Sequence, residues 1–130
     1  MTKISIVTPT FNEEENIQKL CLAIQAEFEK LNLDYEHIII DNASTDNTIK
    51  ILKEICLNNK KIKVIINSKN YGHIRSPFYG ILQSVGDACI LMASDFQDPL
   101  DLIPKYIKKW QSGSKIVLGE KITSEENSLI

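Results

Sequence analysis

Short apolar runs alternate along the chain with longer segments whose apolar residues recur at helical spacing. The runs lie at residues 3–8, 35–40, 62–67, 87–93 and 115–120, and they predict five strands. The segments at residues 12–31, 44–59, 70–86 and 101–113 each predict a helix, the third after a short loop. This alternation predicts an α/β fold with a doubly wound, mostly parallel sheet and helices on both faces. Residues 121–130 read as a loop.

Local signals suggest where the helices begin. Asn12, with Glu15 three residues later, matches a capping box for the first helix. Ser44 or Thr45 suits the start of the second helix, and Pro77 suits the first turn of the third. The buried stripe of the third helix is predicted at Phe78, Ile81, Leu82 and Val85.

Composition narrows the class of protein. A chain of 130 residues with 43% hydrophobic residues is long enough for one domain with a real core. The net charge of −2 argues against a nucleic-acid partner. The 3 cysteines lie in apolar runs without a CxxC pair, which favours buried thiols in a reduced compartment over disulfides or a metal site.

Polar residues gather directly after four of the predicted strands. The segments are PTFNEEE, DNASTDN, NSKNYGHIR and SDFQDP, whereas the helix-to-strand links NLD, NNKK and QSGS look like solvated turns. Because the carboxyl ends of parallel strands share one edge of a sheet, the four polar segments predict a ligand site at that edge.

The chemistry of the ligand is constrained by what these segments contain. Neither a GxGxxG segment after the first strand nor a GxxxxGK[ST] segment occurs, which argues against a dinucleotide site and a P-loop. Asp95, Gln97 and Asp98 offer the oxygen ligands that Mg²⁺ and Mn²⁺ prefer. The alternative is that Asp98 or Asp101 simply caps the next helix.

Four motifs together resemble family 2 glycosyltransferases of the GT-A fold. They are ISIVTPTFNEEENI, IIIDNASTDNT, NYGH and SDFQDPLDLIPKYIKKWQSGSKIVLGEK, in this order and at loop positions. The nearest branch contains polyprenyl- and dolichyl-phosphate sugar transferases and O-antigen transferases. The family's catalytic domain continues further, so we expect residues 1–130 to be its nucleotide-sugar-binding part, truncated after the fifth strand and without the acceptor part.

The resemblance also implies which residues bind the donor and the metal. Asp41 matches a carboxylate that accepts a hydrogen bond from uracil or guanine, and Phe11 lies where an aromatic residue commonly approaches the base. Asp95 and Gln97 match the ligands of Mg²⁺ or Mn²⁺, although Ala93 replaces the first Asp of that motif. The complete set implied for the nucleotide sugar is Thr8, Pro9, Thr10, Phe11, Glu13, Asp41, Ser44, Asn70, Gly72, His73, Arg75, Ser94 and Asp95.

The implied reaction is inverting transfer from a UDP- or GDP-sugar to a lipid-phosphate or saccharide acceptor, with no catalytic residue inside the fragment, which alone is expected to be inactive in transfer. The full-length protein is expected in the cytoplasm or at the cytoplasmic face of the membrane, with membrane contact through the C-terminal part. Two alternatives remain open. One is a nucleotidyltransferase that makes sugar nucleotides, although TPTFNEEEN lacks the Gly-rich, basic first loop of such enzymes. The other is a non-catalytic nucleotide-binding domain.

Overall fold

A computed structural model describes residues 2–120, so the loop predicted at residues 121–130 lies outside the described part. Residues 2–100 belong to one compact unit, and a second unit begins at Asp101. The first unit holds four strands: β1 (Lys3–Thr10), β2 (Asp34–Asp41), β3 (Ile62–Ile66) and β4 (Ala88–Leu91). Its helices are α1 (Ile17–Leu31), α2 (Thr48–Asn58) and α3 (Gly72–Leu82), and the second unit holds α4 (Leu102–Gln111).

The four strands form one parallel sheet in the order β3-β2-β1-β4. In the ladder, Thr10 pairs with Asp41, and Asp41 in turn pairs with Ile66. On the other side of β1, Val7 pairs with Leu91. The first strand therefore lies between the second and the fourth, and the carboxyl ends of all four strands lie along one edge.

Helices cover both faces of the sheet, as the alternating pattern predicts. On one face, Ile39 of β2 packs with Ile17 and Cys21 of α1 and Leu52 of α2. On the other face, Gly80 of α3 lies against Val7 and Ile40. Ile39 and Ile40 are consecutive in a strand, so their side chains point to opposite faces. Both strands at the centre of the sheet are consequently buried almost throughout, which explains their continuous apolar runs.

The predicted buried stripe of α3 is wrong. Phe78 is 59% exposed and Leu82 63% exposed, while the helix buries Ser76, Pro77 and Gly80. A Cβ atom at Gly80 would lie 2.8 Å from Val7 Cγ1, so the missing side chain is what allows α3 to approach the sheet this closely. Pro77 is the sixth residue of the helix, beyond the first turn where it was expected.

Two helix starts and the fifth strand also differ from the predictions. Helix α1 begins at Ile17, five residues after Asn12, and α2 begins at Thr48, after Ser44 and Thr45. Residues 115–120 form no strand, and Ile116 and Leu118 are more than 80% exposed. A strand requires ladder hydrogen bonds to a neighbour, and the sheet formed by the described residues contains four strands. None of the helices within residues 2–120 is long and apolar enough to cross a membrane.

Candidate functional site

Four loops leave the carboxyl edge of the sheet: the first loop (residues 11–16), the second loop (42–47), the third loop (67–71) and the fourth loop (92–100). All of the polar segments noted in the sequence lie in these loops or at the strand and helix ends beside them. The parallel ladder places the fourth loop beside the end of β1, where Met92 N–H donates to Val7 O at 2.9 Å. The sheet therefore brings the predicted residues to one edge, as expected.

The end of β2 is held by a buried carboxylate. Asp41 is fully buried, and its Oδ2 accepts the Ser44 N–H at 2.9 Å while its Oδ1 accepts the Ser44 hydroxyl at 2.6 Å. Between them Ala43 takes a left-handed conformation with φ of 63°. In this arrangement Asp41 shapes the second loop, and its side chain does not line the surface.

The first and second loops are joined by reciprocal hydrogen bonds. Glu13 N–H donates to Thr48 Oγ1 at 2.9 Å, and Asn47 N–H donates to Glu14 Oε2 at 3.1 Å. Asp46 Oδ1 accepts both the N–H and the hydroxyl of Thr48. Partial burial alone would raise the pKa of Asp46, but these bonds and the Glu14 N–H outweigh it and hold that pKa below its usual value. Asp46 is thus ionised, and its hydrogen bonds with Thr48 stabilise the start of α2.

The third loop is tied to β2 by Asn42, which the sequence did not single out. Asn42 is 8% exposed, and its Oδ1 accepts the Tyr71 N–H at 2.9 Å while its Nδ2 donates to Gly72 O at 3.2 Å. Asn67 Nδ2 donates to both Asn42 Oδ1 and Ser76 Oγ. These contacts fix the N-terminus of α3 next to the second loop. The sequence signal was an Asn directly after a strand, which is too common to identify alone.

The predicted residues divide into buried and exposed groups. Thr8 is fully buried and its hydroxyl is hydrogen-bonded to His37, while Thr10 and Ser94 are 3% and 6% exposed, so these three side chains are not accessible at the edge. Phe11 is 46% exposed at the tip of β1. His73 and Arg75 are exposed in the first turn of α3, which begins at Gly72 (φ 88°) with its N–H bonded to Asn70 Oδ1. Pro9 and Glu13 are half-buried beside Phe11.

The two carboxylates of the fourth loop, Asp95 and Asp98, differ in their surroundings. Asp98 Oδ2 accepts the Ala93 N–H at 2.9 Å and closes the turn, around a left-handed Phe96 (φ 61°). Asp95 is exposed, and within residues 2–120 its only hydrogen bond is from the Gln97 N–H at 3.2 Å. Of the two carboxylates, Asp95 is therefore the one that remains accessible to a ligand.

The fourth loop can supply only some of the ligands that a divalent ion needs. Asp95 and Gln97 are both exposed and offer a carboxylate and an amide oxygen, the ligand types that suit Mg²⁺ and Mn²⁺. Among residues 2–120, no group of three or more His, Cys, Asp or Glu side chains is placed to hold a metal ion. The remaining ligands would have to come from a bound phosphate and from water.

Comparisons with known proteins agree with this geometry. The family described as glycosyl transferase family 2 matches residues 5–129. The bactoprenol glucosyl transferase of Shigella phage SfX is 35% identical over 120 residues, which cover 92% of this chain and 39% of that protein. The chain thus spans about two fifths of the length of that relative.

Solved structures share the fold. The structure of S. aureus TarS 1-349 in complex with UDP has a TM-score of 0.60 and 27% identity, covering 82% of this chain and 32% of that one. Glucosyl-3-phosphoglycerate synthase from Mycobacterium tuberculosis, in complex with Mn²⁺, UDP-glucose and phosphoglyceric acid, has a TM-score of 0.59 and 24% identity, covering 87% and 40%. The second likeness is evidence for the fold alone.

Proposed function

Since the chain belongs to glycosyl transferase family 2, we propose that the carboxyl edge of its sheet binds a nucleoside-diphosphate sugar and forms the donor side of an inverting transferase. This proposal rests on the difference between the buried and the exposed side chains of the loops. Buried polar groups brace each loop, while Phe11, His73, Arg75 and Asp95 remain exposed along one edge. An aromatic face, two basic side chains and an accessible carboxylate suit the base, the diphosphate and a divalent ion, respectively.

The base is the part of the ligand that Phe11 would contact. Its ring is 46% exposed beside the second loop, and a base stacked on an aromatic face gains about 1–3 kcal/mol. The second loop, held in place by Asp41 and Ser44, would supply the hydrogen bonds to the edge of the base. The UDP in the TarS structure supports a uridine nucleotide as the first donor to test.

The diphosphate would lie between α3 and the fourth loop. His73 and Arg75 stand at the N-terminus of α3, where the helix dipole also favours negative charge. Asp95 and Gln97 would hold Mg²⁺ or Mn²⁺, whose positive charge stabilises the leaving diphosphate when it is bound. In the transfer itself, an acceptor hydroxyl or phosphate oxygen attacks the anomeric carbon and the bond from that carbon to the diphosphate breaks. We assign the base that takes the acceptor proton to none of residues 2–120.

The name of the phage relative supports a polyprenyl-phosphate acceptor, since bactoprenol is a lipid of that type. A binding-only role is the second candidate, and Ala93 favours it because this position offers no carboxylate to the site. Incubating the full-length protein with UDP-[¹⁴C]glucose and polyprenyl phosphate separates the two. Label in the lipid phase supports transfer, and nucleotide binding without any label transfer or hydrolysis supports the binding-only role.

Calorimetry of UDP and of GDP, each with Mn²⁺ or with EDTA, tests the site directly. We expect Mn²⁺ to tighten binding by at least about tenfold, equivalent to about 1.4 kcal/mol. Asp95→Asn should lose that gain. Asp98→Asn is the matched control, because Asp98 is committed to the Ala93 N–H and should retain most of the gain.

Two results would overturn this assignment. Equal affinities with Mn²⁺ and with EDTA in the wild-type protein would remove the metal from the site. A larger loss in Asp98→Asn than in Asp95→Asn would mean that the wrong carboxylate has been chosen.

A further inference from the structure

Asn12 joins the first loop to the second loop through five hydrogen bonds. Its N–H donates to Ser44 Oγ at 2.8 Å, and its Nδ2 donates to Thr45 Oγ1 at 3.2 Å. Its Oδ1 accepts the N–H groups of Thr45 at 2.8 Å and of Asp46 at 3.3 Å, and also the Thr45 hydroxyl at 3.4 Å. One exposed side chain therefore satisfies two consecutive backbone donors of a loop 33 residues away in sequence.

The backbone of Asn12 is adapted to this role. Its φ of 51° lies in the left-handed region, which Asn and Gly adopt more readily than other residues. This conformation turns the chain sharply after Phe11. Helix α1 begins only at Ile17, so Asn12 does not cap it, and the hydrogen-bonding capacity of its side chain is directed to the second loop instead.

The hydrogen bonds continue inward to a fixed acceptor. The Ser44 hydroxyl donates to the Asp41 carboxyl group and uses its lone pairs to accept the Asn12 N–H. The direction of every bond from Asp41 to Asn12 is thus determined. A buried group at the end of β2 thereby sets the position of the residue that follows Phe11.

We infer that Asn12 is a positioning residue for the nucleotide: it holds Phe11 and the second loop in the spacing that receives the base before the ligand arrives. This inference rests on the proposed nucleotide-binding function. Pre-ordering a loop increases affinity because the bound state no longer has to order it. Without the Asn12 side chain, the two loops would keep the bond from the Asn12 N–H to Ser44 and their contacts through Glu13, Glu14 and their partners.

The chain offers a matched control. Asn32 also has a φ of 51°, is exposed, and ends α1 at the opposite edge of the sheet. Asn12→Gly and Asn32→Gly each replace a left-handed Asn by the residue that best keeps this conformation, so both have the same effect on the backbone. Only Asn12→Gly removes the four side-chain bonds to Thr45 and Asp46. Asn12→Asp retains an oxygen acceptor for the two N–H groups and serves as the conservative variant.

The test measures UDP binding in the presence of Mn²⁺ by calorimetry on the wild-type protein and the three variants. We expect Asn12→Gly to raise Kd roughly tenfold, the equivalent of about one net hydrogen bond, with a less favourable entropy of binding. Asn32→Gly should leave Kd unchanged, and Asn12→Asp should recover most of the affinity. Hydrogen exchange of the Thr45 and Asp46 amides should accelerate in ligand-free Asn12→Gly at an unchanged midpoint of thermal unfolding.

The outcomes separate this inference from the function on which it rests. If the wild-type protein binds neither UDP nor GDP, the proposed function fails and the role of Asn12 fails with it. If the wild-type protein binds UDP and Asn12→Gly binds it equally well, the positioning role alone is overturned. An equal loss of affinity in Asn12→Gly and Asn32→Gly would also overturn it, because the effect would then be one of general stability.

Discussion

His37 should make the stability of this protein depend on pH between neutrality and pH 5. It lies in the middle of β2, fully buried, with its Nε2 hydrogen-bonded to Thr8 Oγ1 at 2.8 Å. Its Nδ1 has no partner among the described residues, so no acceptor there stabilises an additional proton. Burial lowers the pKa of His37 from 6.5 to about 3.

The sign and the magnitude follow from proton linkage. Between pH 6.5 and pH 3 the unfolded chain binds a proton at this histidine while the folded protein does not, so the free energy of unfolding decreases as the pH falls. With these two pKa values the loss from pH 7 to pH 5 is about 2 kcal/mol. A depressed pKa means that this contribution is fully present above the unfolded value and is lost towards the folded value.

Urea denaturation at pH 7 and at pH 5 measures the effect in the wild-type protein and in His37→Gln. Glutamine can still bond to Thr8 but does not titrate, so the variant should lose about 2 kcal/mol less than the wild-type protein over this range. His73→Gln is the control, because His73 is exposed and should follow the wild-type protein. Carboxylates contribute equally to all three proteins and cancel in the comparison.

Identical pH dependence in His37→Gln and in the wild-type protein would refute this reasoning. A measurement that needs no variant gives the same information. The ring proton resonances of His37 should not shift between pH 7 and pH 5, since the folded protein does not bind the proton in this range. A shift with a midpoint near pH 6.5 would show that His37 is solvated.

Three further predictions concern stability and reactivity. Gly86→Ala should destabilise the protein by about 2 kcal/mol or more, because a Cβ there would lie 2.6–2.8 Å from atoms of Ser5 and its neighbourhood; an unchanged thermal midpoint would contradict this. Glu36→Ala should cost about 3 kcal/mol in urea denaturation, since the 1% exposed carboxylate accepts hydrogen bonds from three donors; a loss below about 1 kcal/mol would be inconsistent with that network. Ellman's reagent should modify the exposed Cys89 in the native protein and spare Cys21, whose pKa is raised to about 12 by burial; equal rates would exclude this difference.

The alternation of strands and helices could be predicted from the sequence because it depends on the hydrophobicity and shape of individual residues. Runs of β-branched residues identify β1 and β2, and their continuous burial on two faces explains the absence of polar alternation. The position of polar segments after each strand then predicts the ligand edge without any knowledge of side-chain contacts. The exposure of Asp95 and the bond that Asp98 accepts from the Ala93 N–H come from the structure.

Tertiary contacts overrode the local signals in the remaining cases. Asn12 and Glu15 match a capping box. In the structure, however, the Asn12 side chain accepts the backbone N–H groups of the second loop instead of capping α1. In α3, hydrophobicity favoured the face with Phe78 and Leu82, whereas the close approach to the sheet requires the small Gly80. Neither outcome can be read from the segment alone, because each depends on a partner distant in sequence.

The charges at the ligand edge suggest how a nucleotide and a metal ion would bind relative to one another. Asp41, Asp46 and Asp98 already accept hydrogen bonds from nearby backbone N–H groups, so their charge is used within the loops. Asp95 accepts the Gln97 N–H but is exposed at this edge, and a bare diphosphate placed beside its charge would be repelled. With Ala93 in place of a second carboxylate, the fourth loop has too few ligands to hold a divalent ion tightly by itself. Nucleotide and ion would each complete the site for the other, so their binding should be positively coupled, and by linkage the factor by which one tightens the other must be the same in both directions.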